Sequence, residues 1–183
     1  MKRTVAAGAG IVGIGALTLH LMGRRLWCAC GSPAPWSWDI FSAHNSQHLI
    51  DPYTFTHVLH GVLYYALLRL ALGTRWPSAR LLLALAFEVA WEIAENTPAV
   101  IAAYRKTTLA AGYTGDTIAN SLADVAACLL GYAAAMSLPA MVSAAGVVAV
   151  EAALLLTIRD SLLLSIVMLL RPIEAIRTWQ AGG

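Results

Sequence analysis

The chain has 183 residues, 59% of them hydrophobic and only 12% charged, about half the charged share of a soluble domain. Its mean hydropathy is +0.68. A net charge of +2, with no Lys/Arg stripe on any segment, excludes a nucleic-acid partner, and the three cysteines show no zinc-finger spacing. The expectation is a single all-α membrane domain over residues 1–183, a polytopic helix bundle.

A spanning helix needs about 20 predominantly apolar residues. The first candidate is 5–22, following Lys2-Arg3. A signal peptide has the same signature, but the run is long and ends in Gly23-Arg24-Arg25 without a small-x-small cleavage site, which favours a retained helix. Residues 23–53 form a polar connection rich in Pro, Ser, Asp, His and Trp. Further spans are expected at 54–72, 80–104, 116–136, 141–158 and 160–171, the last short and interrupted at Arg171-Pro172, where proline breaks a helix. Five spans plus a re-entrant or interfacial last segment is the alternative. The tail 173–180 reads as an interfacial turn with Trp179 at headgroup level. Lys/Arg asymmetry leans slightly toward an inside N-terminus. The connections after spans one, three and five then share the outer side.

Ten residues are acidic, yet Glu88, Glu92, Glu95 and Asp124 fall inside long apolar runs. An intramembrane charge costs about 2.5–3.5 kcal/mol on insertion scales and marks a functional site by default. Residues at i, i+3, i+4 and i+7 share a helix face. His57, His60, Gly61 and Tyr64 fit one face of the second span. Glu88, Glu92 and Glu95, with Trp91 beside them, fit one face of the third, and Asp116, Asn120 and Asp124 one face of the fourth. At 1.5 Å per residue, Glu95 and Asp124 lie about 10–14 Å below the outer side.

Imidazole and carboxylate are the usual ligands of zinc, manganese or iron, and a divalent metal ion is the expected cofactor. Bundles build such sites from facing helices. His57, His60, Glu92, Glu95, Asp116 and Asp124 form the ligand pool. Glu92, Glu95 and His57 are the catalytic candidates, with a glutamate as general base to a metal-bound water. Glu88, the deepest, reads as a protonated structural partner, and Glu151 as structural. His20 reads as incidental and Cys128 as a small core residue. Cys28 and Cys30 are too close for an easy disulfide, which leaves a metal-touching or redox role beside a plain interfacial one. The polar segment 45–54 reads as a lid or head-group loop. His48, Asn120, Arg105 and Arg159 are the candidate substrate binders, the arginines suiting an anion such as a phosphate.

Nine strings of this chain carry a resemblance. They are Cys28-x-Cys30-Gly31, Asn45-Ser-Gln-His48, Asp51-x-Tyr53-Thr54, His57-x-x-His60-Gly61 and Trp91-Glu92-x-x-Glu95-Asn96. Tyr113-x-Gly115-Asp116, Asn120-Ser121-x-x-Asp124, Ile158-Arg159-Asp160 and Ala175-Ile176-Arg177-x-Trp179-Gln180 complete the set. Over nearly all of Cys28 to Gln180 the chain resembles a family of small inner-membrane proteins of alphaproteobacteria known only as a domain of unknown function. The resemblance implies no activity. A more distant likeness reaches YjdF-like and VanZ-like small membrane proteins through His57/Gly61, Glu92/Glu95 and Asp116/Asp124. His60 and the Asn120-Ser121 pair depart from that pattern.

The expected function is a metal-dependent membrane enzyme hydrolysing a lipid or lipid-linked substrate. It would lie in the bacterial inner membrane with its site toward the periplasm, and a homo-oligomer is left open. The same residues would also serve a proton or metal-ion carrier, although the inner halves of these spans are nearly all Leu, Ala and Val, against a full path. A non-enzymatic assembly subunit, with the polar stripes used only for packing, is the third reading.

Overall fold

The computed structural model describes residues 2–107 and 112–182. Among the described residues, eight helices follow in chain order: α1 Lys2–Leu21, α2 Thr54–Leu72, α3 Pro77–Glu95, α4 Pro98–Thr107, α5 Ile118–Ser137, α6 Ala140–Ile158, α7 Leu162–Leu170 and α8 Glu174–Gln180. No strand occurs among the described residues, only an isolated bridge between Trp36 and Ile50. The chain is all-α, as composition and periodicity lead one to expect.

Among the described residues, four helices, α1, α2, α5 and α6, are long and apolar enough to cross a membrane. α1 and α6 are mostly exposed along their length, an apolar surface that lipid rather than water would cover. Six spans are not borne out. The expected third span, 80–104, is broken at Asn96-Thr97, because Pro98 cannot donate to the helix and opens α4 as its first residue. Its first part, α3, has 19 residues but carries Arg80, Glu88, Glu92 and Glu95. The expected sixth span begins after Asp160-Ser161, with the Ser161 hydroxyl accepting from the Leu164 N–H. It ends before Arg171-Pro172, leaving nine residues, roughly 14 Å of helix against about 30 Å of hydrocarbon. Residues 108–111, between the expected spans 80–104 and 116–136, lie outside the described residues.

α2, α3 and α5 form the centre. α2 and α5 run parallel, with His57 beside Asp124, Val58 beside Gly131 and Gly61 beside Cys128. α3 runs antiparallel to both, so that Tyr64 meets Phe87 and Leu68 packs on Ala84 and Tyr132. α1 lies along α3 through Gly8 and Gly15, which face Leu85 and Val89.

The connection 23–53 has no helix or named strand, unusually long for irregular structure. It forms a cap over the start of α5. The Arg25, Leu26 and Ser46 carbonyls accept from the N–H groups of Ile118, Ala119 and Thr117, and the Gln47 amide donates to the Gly115 carbonyl at 2.8 Å. The donors at Ile118 and Ala119 belong to a helix N-terminus and have no intrahelical partner, so the cap takes the place of water there.

Candidate functional site

A cavity of about 260 Å³ lies under the cap. α2 contributes Thr56, His57, His60, Leu63 and Tyr64, and α3 contributes Trp91 and Glu95. Asp124 of α5, Tyr104 of α4, Tyr113 and Asp116 complete the polar wall, while Leu162, Ile166 and Leu169 of α7 make an apolar one.

Behind the His57 and His60 wall, Glu88 is fully buried and takes both histidines. His57 Nδ1 is 2.6 Å from Glu88 Oε1 and His60 Nδ1 is 3.1 Å from Oε2. With the proton on Nδ1, each imidazole donates to Glu88 and keeps its Nε2 lone pair, the orientation used by metal-bound histidines. His57 Nε2 faces Asp124 Oδ2 at 3.9 Å. Glu92 is 2% exposed, and Oε1 lies 3.3 Å from His57 Nδ1, within ion-pair reach but without hydrogen-bond geometry. Both Glu92 oxygens, Asp124 Oδ1 and Asn120 Nδ2 are buried without a hydrogen-bond partner. Among the described residues, no Lys or Arg pairs with any of these carboxylates. Buried charge in this state costs several kcal/mol per ion unless a counter-charge arrives.

Two sets of donor atoms here lie within 4.8 Å of one another, one from His57, His60 and Glu88, the other from His57, Glu92 and Glu95. Helical spacing thus does bring His57, His60, Glu92 and Asp124 together. Glu95 is not deep in a span but is the last residue of α3, at the cavity wall. Glu88, read from the sequence as a structural partner, is the hub of the histidine pair.

Asp116 is held just outside this centre. Asn96, fully buried, donates through Nδ2 to Asp116 Oδ2 at 2.7 Å and to the Glu92 carbonyl at 2.9 Å, and its Oδ1 accepts from the Asp116 N–H at 2.8 Å. The Tyr113 hydroxyl donates to the same carboxylate at 2.9 Å. Asn96→Leu is expected to destabilise the protein by about 1.5–3 kcal/mol, since it strips a buried charged acceptor of its donor. Detergent-solubilised unfolding curves check this. Asp51, above the spans, accepts from the N–H groups of Ser46, Tyr53 and Thr54. Burial, with the nearby Asp116 charge adding to it, pushes its carboxyl up despite those donors.

The four expected substrate binders do not line the cavity. Arg105 is exposed and donates to the Tyr113 carbonyl, and Arg159 donates to the Trp179 carbonyl at 3.0 Å. Sequence placed them on the right side of the bundle without specifying where their side chains reach. His48 lies in the cap beside Cys30. Asn120 is buried on α5, with its amide nitrogen unpartnered. Missed were Tyr53 and Asp160, whose hydroxyl–carboxylate bond of 3.1 Å ties the start of α2 to the α6–α7 junction at the cavity wall. A Tyr–Asp pair 107 residues apart leaves no local pattern.

The family described as "Protein of unknown function (DUF2585)" matches residues 19–182. The chain belongs to this family. It is 45% identical over 173 residues to a UPF0314 protein of Sinorhizobium fredii (strain NBRC 101917 / NGR234), covering 94% of this chain and 88% of that one. The UPF0314 protein of Rhizobium meliloti (strain 1021) matches to the same extent. That of Sphingopyxis alaskensis is 42% identical over 96% of this chain and 93% of its own length. No solved structure matches. The resemblance to an alphaproteobacterial family of unknown function is thereby borne out. The more distant likeness to YjdF-like and VanZ-like proteins finds no support.

Proposed function

We propose that this chain is a metal-dependent integral membrane enzyme that hydrolyses a lipid or lipid-linked substrate. We place it in the bacterial inner membrane, with its cavity toward the periplasm. The observation that carries the reading is Glu92, a carboxylate 2% exposed with both oxygens unpartnered beside His57. Such a group is costly without a cation, and its neighbours are the donors that zinc, manganese or iron take. His57 and Glu92, with Asp124 and His60 adjacent, would hold the ion, and Glu95 of the same donor set is left to act as base. Bound there, it would lower the pKa of a water and polarise a substrate carbonyl or phosphoryl oxygen. Glu88 orients the imidazoles. Glu95, at the cavity wall, is positioned to take a proton from water. The α7 wall of Leu162, Ile166 and Leu169 suits an acyl or prenyl chain, and the polar wall suits its head group. A carrier is less well supported, because Leu68, Ala84 and Tyr132 close the interior beyond His60.

Elemental analysis of the detergent-purified protein, with turnover on a panel of lipid esters and lipid phosphates, tests the reading. His57→Ala and Glu92→Gln are each expected to lose one metal equivalent and all turnover. Glu95→Gln is expected to slow turnover by about 10²–10⁴-fold if it acts as base. A folded wild type that binds no metal at this centre, or variants as active as wild type, would refute the proposal.

A further inference from the structure

The cap holds a second group of metal-ligating side chains, separate from the intramembrane centre. Cys28, Cys30, His44 and His48 each present a donor atom, and the four atoms lie within 4.8 Å of one another. Cys28 Sγ is 3.4 Å from His44 Nδ1, and Cys30 Sγ is 3.8 Å from His48 Nε2. In a tetrahedral zinc site with Zn–S of about 2.3 Å and Zn–N of about 2.0–2.1 Å, a sulfur and a nitrogen on one ion stand about 3.6 Å apart. Both contacts bracket that value.

The surroundings are those of a ligand set. His48 Nδ1 is 2.6 Å from the Ala34 carbonyl, which holds the proton on Nδ1 and leaves Nε2, the atom facing Cys30, as the ligand nitrogen. The Trp27 ring packs edge-on against His48 at 5.6 Å. The Cys30 N–H points at Cys28 Sγ and the Ser32 N–H at Cys30 Sγ, each at 3.4 Å, donors that favour thiolate over thiol. Cys28 and His48 are buried, while Cys30 and His44 are exposed, which leaves a route for an ion to enter. Cys28 and Cys30 follow Arg25–Leu26, and His44 and His48 flank Ser46–Gln47, the two segments that cap α5.

We propose that Cys28, Cys30, His44 and His48 bind one zinc ion, which staples the two halves of the irregular cap and thereby fixes the start of α5 and the cavity mouth at Asn45 and Ser46. On binding, the two thiols release their protons and the ion takes two sulfurs and two imidazole nitrogens, a closed set without an open position, so the role is structural. The site stands independently of the intramembrane proposal.

Cobalt substitution tests it on the full chain in detergent. Wild-type protein loaded with Co²⁺ is expected to show a near-ultraviolet thiolate-to-cobalt band and tetrahedral d–d bands, which Zn²⁺ then bleaches. Cys28→Ser/Cys30→Ser should lose the band and one zinc equivalent. His57→Ala, Glu92→Gln and Cys128→Ser should keep both the band and that equivalent, because the intramembrane centre contains no cap thiolate. In the wild type, zinc should slow alkylation of Cys28 and Cys30 at least tenfold. Absence of the thiolate band, alkylation unaffected by zinc, or a Cys28–Cys30 disulfide in the freshly purified protein would each overturn the proposal.

Discussion

Glu92→Met is expected to raise the unfolding midpoint of the metal-free protein while abolishing metal retention at the intramembrane centre. The wild-type carboxylate is buried with neither oxygen hydrogen-bonded, so a charge desolvated for the sake of an absent ion destabilises the empty fold. Replacing a buried charge by an apolar side chain of similar volume is often neutral or stabilising by about 1–4 kcal/mol, which at this chain length corresponds to roughly 2–4 °C per kcal/mol. Glu88→Met should do the opposite. Glu88 is the partner of both His57 Nδ1 and His60 Nδ1, and removing one member of a buried pair costs about 3–5 kcal/mol. The two variants, four residues apart on one helix face and chemically identical, thus separate a site kept for an ion from polar groups kept for packing. Thermal melts with and without chelator read the difference. If Glu92→Met lowers the chelated midpoint as Glu88→Met does, the stripe is packing and the metal reading fails.

Much of the site was legible because helical periodicity is local. The apolar run 54–72 reproduces α2 to the residue, and the runs 116–136 and 141–158 lie within two residues of α5 and α6. The i, i+3, i+4 stripes on α2, α3 and α5 do converge on His57. What failed was whatever depends on contacts between distant segments. Hydropathy ran through Thr97-Pro98, although the proline itself signals the break, and this moved Glu95 from the helix end to a false depth. Arg105 and Arg159 could be assigned a side of the bundle but not a partner. Their ends are taken up by the Tyr113 and Trp179 carbonyls. His44 showed no signal, since its relation to Cys28 exists only once the cap has folded, and the spacing of the four ligands matches no standard zinc-finger pattern.

Gly61→Ala and Gly131→Ala are expected to be among the most damaging single-methyl changes in the protein. A Cβ at Gly61 would run into the Cys128 carbonyl and the Tyr132 N–H, and one at Gly131 into the Val58 carbonyl. The backbones of α2 and α5 touch at this crossing, as small residues allow in membrane bundles, and neither obstacle is a side chain that could rotate away. Elsewhere in a helix, glycine to alanine gains up to about 1 kcal/mol. Gly13→Ala on α1 and Gly146→Ala on α6, where a Cβ meets nothing within 4 Å, should therefore be neutral or stabilising. At the crossing, overpacking should outweigh that gain with a net loss of about 1–3 kcal/mol. The effect should extend to function, because the same crossing sets His57 one turn from Gly61 on α2 against Asp124 one turn from Cys128 on α5. Splaying the helices separates those side chains, so metal affinity should fall together with stability. The double variant Gly61→Ala/Gly131→Ala should cost less than the sum of the singles, since one displacement relieves both clashes. Unfolding titrations in mixed micelles, with metal content measured on the same samples, give the answer. A Gly61→Ala protein as stable as Gly146→Ala would mean that the helices do not meet here, and with that the alignment of His57 with Asp124 would be lost.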